Sequence, residues 1–170
     1  EYRDQAWNLL SSDVAKLDAC IAPSRYFGEK MGKRLQLSPD KVHLLHDGIN
    51  LDGYVASSIP LSPPSIGFLA RLCPLKGLDL FVDAYLEIMN RGNNPELELR
   101  VAGGMTTDDK PFVDEQKNKL DAAGLLDKST FRPNVDRNEK MAFLRDLSVF
   151  SVPVRFPEAF GLYVLETLAA

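Results

Sequence analysis

From Ser65 onward, short apolar runs alternate with amphipathic stretches long enough to be helices, and this alternation narrows the possible folds more than any other feature. Ser65 to Leu69 reads as a strand. Leu75 to Arg91 reads as a helix with Leu78, Leu80, Phe81, Ala84, Tyr85 and Ile88 facing a core. Leu97 to Ala102 is a strand that ends at Gly103-Gly104, and Lys110 to Ala123 is a helix. Thr130-Phe131 is a short strand, Arg137 to Leu144 a helix, Ser148 to Pro153 a strand, and Gly161 to Ala170 a final helix. Strands interleaved with helices of this length predict an α/β fold with a doubly wound parallel sheet covered on both faces. Ligands bind beyond the carboxyl ends of the strands in such sheets. The segments after Leu69, Ala102, Phe131 and Pro153 are therefore the ones to inspect.

The N-terminal third has weaker punctuation. Tyr2 to Lys16 reads as a helix with Ala6, Leu9, Leu10, Val14 and Leu17 on one face. Asp18 to Pro23 reads as a buried strand, and Ser24 offers an N-cap for a helix through Leu35 that Ser38-Pro39 ends. Val42 to Leu45 is a further strand, closed by a turn at His46-Asp47-Gly48. Ser57 to Pro64 is rich in serine and proline and reads as a linker. The expected organisation is thus one unit at 1–56 and a second at 65–170. A chain of 170 residues suits one domain, or one domain with a piece of another.

Charge and composition exclude several functions. The mild net charge of -4 argues against a nucleic-acid surface, where a basic stripe would be expected. No apolar run approaches the roughly 18 residues of a membrane span. Cys20 and Cys73 are far apart and fit no metal spacing. Cys20 reads as packing; Cys73, between Arg71 and Lys76, is either an activated thiol or a small buried filler. The chain starts Glu1-Tyr2-Arg3 without a leader, so a trimmed or partial chain and a cytoplasmic setting are expected.

Three segments could carry chemistry. Arg71 and Lys76 straddle a proline turn that opens a helix, a natural place for an anion; surface cations also occur in such loops by chance. Gly103-Gly104 permits close approach of a ligand, or simply makes a tight turn, and no G-x-G-x-x-G fingerprint is present. Between Pro153 and Glu166, a strand ends, a loop carries Glu158, and a helix starts near Gly161. Glu166 would lie roughly 7.5 Å further along that helix. Carboxylates accept hydrogen bonds from paired sugar hydroxyls, and helix-start amides suit a diphosphate.

These segments together resemble the group 1 glycosyltransferases, family four of the retaining enzymes with the GT-B fold. The likeness is carried by Ile21–Phe27, Val42–Asn50, Ile66–Leu72 with Lys76-Gly77, Leu99–Gly104, and Pro157–Leu162 through Glu166. It implies a Rossmann-like nucleotide-sugar-binding domain at 65–170, incomplete at its C-terminus, preceded at 1–56 by the end of an acceptor-side domain and a linker. Arg71 and Lys76 match the basic pair that holds the diphosphate and steadies the leaving group. Glu158 matches the glutamate that contacts the transferred sugar and has been considered as a nucleophile. Glu166 matches the one that holds the nucleotide ribose. The backbones of Phe160, Gly161 and Leu162 match donors to phosphate and sugar, while Gly103 and Gly104 would lie beside the nucleotide and Asn134-Val135 near the base. Ala70 stands where the family usually has glycine, His46-Asp47 replaces a common Pro-Asn, and Arg132-Pro133 occupies a position where glycine is frequent.

The implied reaction moves a hexose from a nucleotide diphosphate sugar to an acceptor hydroxyl with retention of configuration. No cofactor or metal is required, because Arg71, Lys76 and the helix start would stabilise the leaving diphosphate. The acceptor would be a carbohydrate or a lipid-linked molecule, with membrane association through the missing part. The resemblance also implies that this stretch alone, lacking most of the acceptor half, transfers no sugar. Alternatives within the fold are a nucleotide-sugar epimerase or a phosphorylase; from another class, a non-catalytic nucleotide-binding domain. A receiver-like signalling domain would need an acidic pair after an early strand, which is not in place.

Overall fold

A computed structural model describes residues 2–14, 16–56 and 61–170. The chain forms two compact units: Glu1–Ile49 with Glu158–Leu162, and Asn50–Pro157 with Tyr163–Ala170.

The smaller unit contains α1 (Tyr2–Val14), β1 (Cys20–Ala22), α2 (Arg25–Leu35) and β2 (Val42–Leu44). β1 and β2 pair in parallel, with Cys20 opposite Val42. α2 starts where its cap predicts: the Ser24 hydroxyl accepts from the Phe27 amide at 3.1 Å. It ends at Gln36 in the left-handed region (φ 54), after Lys33 and Arg34 in the last turn, where cations oppose the helix dipole.

On the apolar face of α1, Leu9 is 64% and Leu10 48% exposed. Trp7 is the α1 residue whose ring meets α2, beneath the Arg34 guanidinium carbon at 3.8 Å. The strand at 18–23 shrinks to β1, where Ala22 is buried but Ile21 is 69% exposed. Residues 46–48 make no turn, because the Leu45 amide donates to the Ala22 carbonyl and His46 Nδ1 lies 2.9 Å from the Pro23 carbonyl, keeping the chain extended. The turn comes later, closed by the Tyr54 amide on the Leu51 carbonyl.

The larger unit contains β3 (Ser65–Leu69), α3 (Leu78–Asn90), β4 (Glu98–Gly103), α4 (Lys110–Ala122), β5 (Ser129–Pro133), α5 (Arg137–Arg145), β6 (Val149–Phe150) and all of α6 (Leu162–Ala169) after its first residue. The four strands are parallel in the order β5-β4-β3-β6. Alternation along the strands feeds two cores. Phe68, Leu99 and Val101 join Leu78, Phe81, Val82 and Tyr85 of α3 and Val113 and Leu120 of α4. Leu69 and Ala102 join Phe143 and Leu144 of α5. Helices therefore cover both faces, the Rossmann-like doubly wound arrangement that the alternation implies. α5 opens with a capping box in which Asp136 and Glu139 each bond the other's backbone amide.

Here too some expected bounds shift. The helix from Leu75 to Arg91 is a 3₁₀ turn at Pro74–Lys76 followed by α3, divided by Gly77 at φ 77. The buried stripe of α3 is Leu78, Phe81, Val82 and Tyr85, while Leu80 and Ala84, expected to face the core, are exposed. The strand at 148–153 retains only β6, because the chain leaves β3 and the Arg155 amide bonds the Leu75 carbonyl instead. Gly161 precedes α6, since its φ of 91 is not helical. Ser57, Ser58, Ile59 and Pro60 of the expected linker lie outside the described residues. The unit boundary falls at Ile49/Asn50 rather than in that linker, because Arg137 Nη2 on α5 donates to the carbonyls of Asn50 and Asp52.

Candidate functional site

The strand order places the reversal of winding at β3, flanked by β4 on one side and β6 on the other. In doubly wound sheets the ligand crevice lies beyond the carboxyl ends of the strands at that reversal. Arg71 and Lys76 follow β3, and the loop at 151–157 follows β6, so these two segments flank it within the larger unit.

Each cation is held differently. Arg71 donates from Nε and Nη2 to the Asp109 carboxylate at 3.2 to 3.3 Å. The bonds to Asp109 raise the affinity of the guanidinium for its proton, so Arg71 stays charged. The Lys76 ammonium lies 4.9 Å from the Phe156 ring centroid and 5.8 Å from that of Tyr163, within cation–π range. Lys76 also owes its place to the loop after β6. There Arg155 grips both Asp79 oxygens at 2.7 Å and donates to the Pro74 carbonyl at 2.8 Å. Gly77 completes that junction: a Cβ there would stand 1.9 Å from the Pro153 carbonyl oxygen. Cys73 is buried, in line with the small-filler reading.

The paired glycines separate into two functions. Gly103 has φ 140, and a Cβ on it would meet the Ala70 carbonyl oxygen at 1.8 Å, so its lack of a side chain serves contact between neighbouring strands. Gly104 has open space where a Cβ would be. Asn134 sits at φ 57, and its side-chain amide is committed to the backbone of Met105, accepting from its amide at 2.9 Å and donating to its carbonyl at 3.0 Å. Val135 packs on the α5 core.

Glu166 on α6 is largely buried, with 17% of its side chain exposed, and pairs with Lys140 of α5. Tyr54 belongs to the same neighbourhood: burial first, and then the Glu166 charge, raises its hydroxyl pKa above the usual value. In the smaller unit, the Ala159 carbonyl accepts from the Ser24 hydroxyl at 2.6 Å, and the Phe160 ring centroid lies 5.8 Å from that of His46. Glu158, Gly161 and Leu162 belong to that unit as well.

Asp109, Lys140 and the Arg155–Asp79 pair are absent from the sequence reading. Asp109 looks like an ordinary acid before a helix, and Lys140 is one of several charges on α5. Only Arg155 stood in a segment already singled out. Among the described residues, no cluster of three or more His, Cys, Asp or Glu could hold a metal ion. Nor is any described helix long and apolar enough to cross a membrane.

The family described as "Glycosyl transferases group 1" matches residues 55–170. The D-inositol 3-phosphate glycosyltransferase of Streptomyces scabiei is 31% identical over 92% of this chain and 38% of its own length. A lipopolysaccharide core biosynthesis mannosyltransferase, LpcC, of Rhizobium leguminosarum is 30% identical over 92% of this chain and 44% of its own. The chain thus spans well under half of these relatives. Among solved structures, sucrose-phosphate synthase of Thermosynechococcus elongatus superposes with a TM-score of 0.77 at 20% identity, covering 97% of this chain and 42% of that one. HepE of Anabaena, solved in complex with UDP and glucose, gives 0.73 at 17% identity, covering 89% and 42%. These likenesses show the shared fold. With the family match over 55–170, more than half of its length, the chain belongs to the group 1 glycosyltransferases.

Proposed function

We propose that the protein binds a nucleotide diphosphate sugar and transfers the hexose to an acceptor hydroxyl with retention of configuration. The observation that carries this reading is that Arg71 and Lys76 both follow the strand at the reversal of winding. Two fixed cations there match the charge of a diphosphate, and pre-placed charge lowers the barrier for its departure. Glu166, oriented by Lys140, would accept from the ribose hydroxyls, and Glu158 would contact the sugar. Phe160, Gly161 and Leu162 would offer backbone donors. Gly104 is the glycine with room for the nucleotide, whereas Asn134 and Val135 would line the base through their backbone. The acceptor is a carbohydrate or lipid-linked molecule, a reading that the name of the lipopolysaccharide core mannosyltransferase favours. UDP is the first nucleotide to try, because HepE was solved with it.

Calorimetric titration with UDP, with and without magnesium, tests this reading. Binding should not need the metal. Glu166→Ala should weaken UDP binding roughly ten- to a hundredfold, the loss of a charge-assisted bond, while Glu158→Ala leaves it nearly unchanged. Equal losses in the two variants would overturn the assignment of ribose and sugar. The anomeric configuration of the product, read by NMR, decides retention.

A further inference from the structure

We propose that Asp109 is a positioning residue for nucleotide diphosphate binding, acting through Arg71; the inference rests on the function proposed above. Asp109 is 7% exposed and has its own anchor, accepting from the Thr106 amide at 2.9 Å and from the Thr106 hydroxyl at 2.7 Å. These bonds, with the Arg71 contact, hold its carboxyl near pKa 2, so it is an anion at any working pH. Asp109 gives no side-chain cap to α4, so its bonding is directed at Thr106 and Arg71 and not at the helix start.

Arg71 is the opposite case: 59% of its side chain is exposed. A long exposed side chain is dispersed over many rotamers unless something fixes it. The two-pronged contact uses Nε and Nη2, which leaves Nη1 and the outer Nη2 hydrogen as a preset pair of donors for a phosphate. Phosphate recognition by arginine depends on that planar fork being in register. The carboxylate also repels an anionic ligand, but the solvated Arg71 charge beside it offsets its own, so the repulsion is weak. Orientation is therefore the larger effect, and removal of Asp109 should weaken binding.

The test is a double-mutant cycle for UDP affinity, measured by calorimetry on the intact protein. Asp109→Asn should weaken binding about tenfold, and Arg71→Ala at least as much. In the Arg71→Ala background, Asp109→Asn should change affinity by less than about twofold, because the residue through which it acts is gone. A loss of equal size in both backgrounds would show a purely structural effect on the loop and overturn the proposal. Tighter binding by Asp109→Asn would overturn it too, by making the carboxylate a competitor for Arg71. If Asp109→Asn does not fold, Thr106→Val carries the same cycle: it loosens the anchor and should cost about two- to fivefold only when Arg71 is present. Wild-type protein that binds no nucleoside diphosphate would sink the functional reading itself, and this inference with it. Binding that depends on Arg71 but not on Asp109 would sink this inference alone.

Discussion

In β3 every residue except Ile66 is buried, and β4 buries Leu99, Val101, Ala102 and Gly103. In the other parallel sheet β1 buries only Ala22, and β2 buries nothing. Both sheets are short, parallel and apolar, so pairing does not explain the difference. Cover does. A parallel sheet carries apolar side chains on both faces, and each face needs a layer against it. The larger unit supplies α3 and α4 on one face and α5 on the other. The smaller unit leaves Ile21 and Leu44 at 69% and 45% exposure. Apolar runs thus announce a strand, but the number of layers around it decides what that strand contributes to stability.

Truncations at matched positions should expose this difference most strongly. Phe68→Ala should cost about 3–5 kcal/mol in urea unfolding, as large-to-small changes in close-packed cores do. Ile21→Ala should stay within about 0.5 kcal/mol, as exposed positions do. Similar losses at both would erase the distinction between the sheets.

A second, smaller contrast lies within the larger unit. Gly103→Ala forces a left-handed conformation and a clash with a backbone oxygen at 1.8 Å, so about 2–4 kcal/mol should be lost. Its neighbour has open space, so Gly104→Ala should leave the urea midpoint nearly unchanged. Under the proposed function it should instead weaken UDP binding, and equal destabilisation by the two variants would contradict the separation of these glycines.

Next comes Tyr85, buried in the larger core, with its hydroxyl donating to the Leu97 carbonyl at 2.9 Å. Tyr85→Phe should cost about 1 kcal/mol. Burial, and then the Glu98 charge, pushes the Tyr85 hydroxyl from 10 up to about 12. The folded state therefore holds this proton more tightly than the unfolded chain does. The resulting stability is present below pH 10 and is lost as pH rises from 10 towards 12. Unfolding measured across that range should show a steeper fall in wild type than in Tyr85→Phe.

The smallest effect is expected at the acid end. The Thr106 amide first, then its hydroxyl and Arg71, lower the Asp109 carboxyl from 3.8 to about 2. The sign is opposite to that of Tyr85: this contribution is present above pH 3.8 and fades as pH falls towards 2. Asp109→Asn should flatten the acid limb of the stability curve, and an unchanged limb would mean the carboxylate is not held as its bonds imply.

Much of the larger unit was legible because its signals are local. Ser65–Leu69 coincides with the expected strand, and the helix at Lys110 begins where expected. The errors share a cause. Leu80 and Ala84 were placed inward because residue type alone set the stripe, whereas a stripe centred on Leu78, Phe81, Val82 and Tyr85 leaves both beyond its edge. The strand expected to reach Pro153 stops at Phe150, because after Ser151 the chain leaves β3 for a turn some eighty positions earlier, where the Arg155 amide bonds the Leu75 carbonyl.

The candidate site divides along the same line. Arg71, Lys76, Glu158 and Glu166 could be named from residue type and spacing, because charge and motif are properties of the chain itself. What each charge faces was decided by the fold. Asp109 lies 38 residues from Arg71, Lys140 lies 26 from Glu166, and Asp79 lies 76 from Arg155. No local pattern links such pairs. They meet because parallel strands require long crossovers, which return distant loops to the same end of the sheet. The sequence by itself determined where the cations and carboxylates stand along the chain and that a parallel α/β sheet would carry them. Only the tertiary structure decided the strand order that brings the cationic loop beside the reversal of winding, and the partners that hold each charge in place.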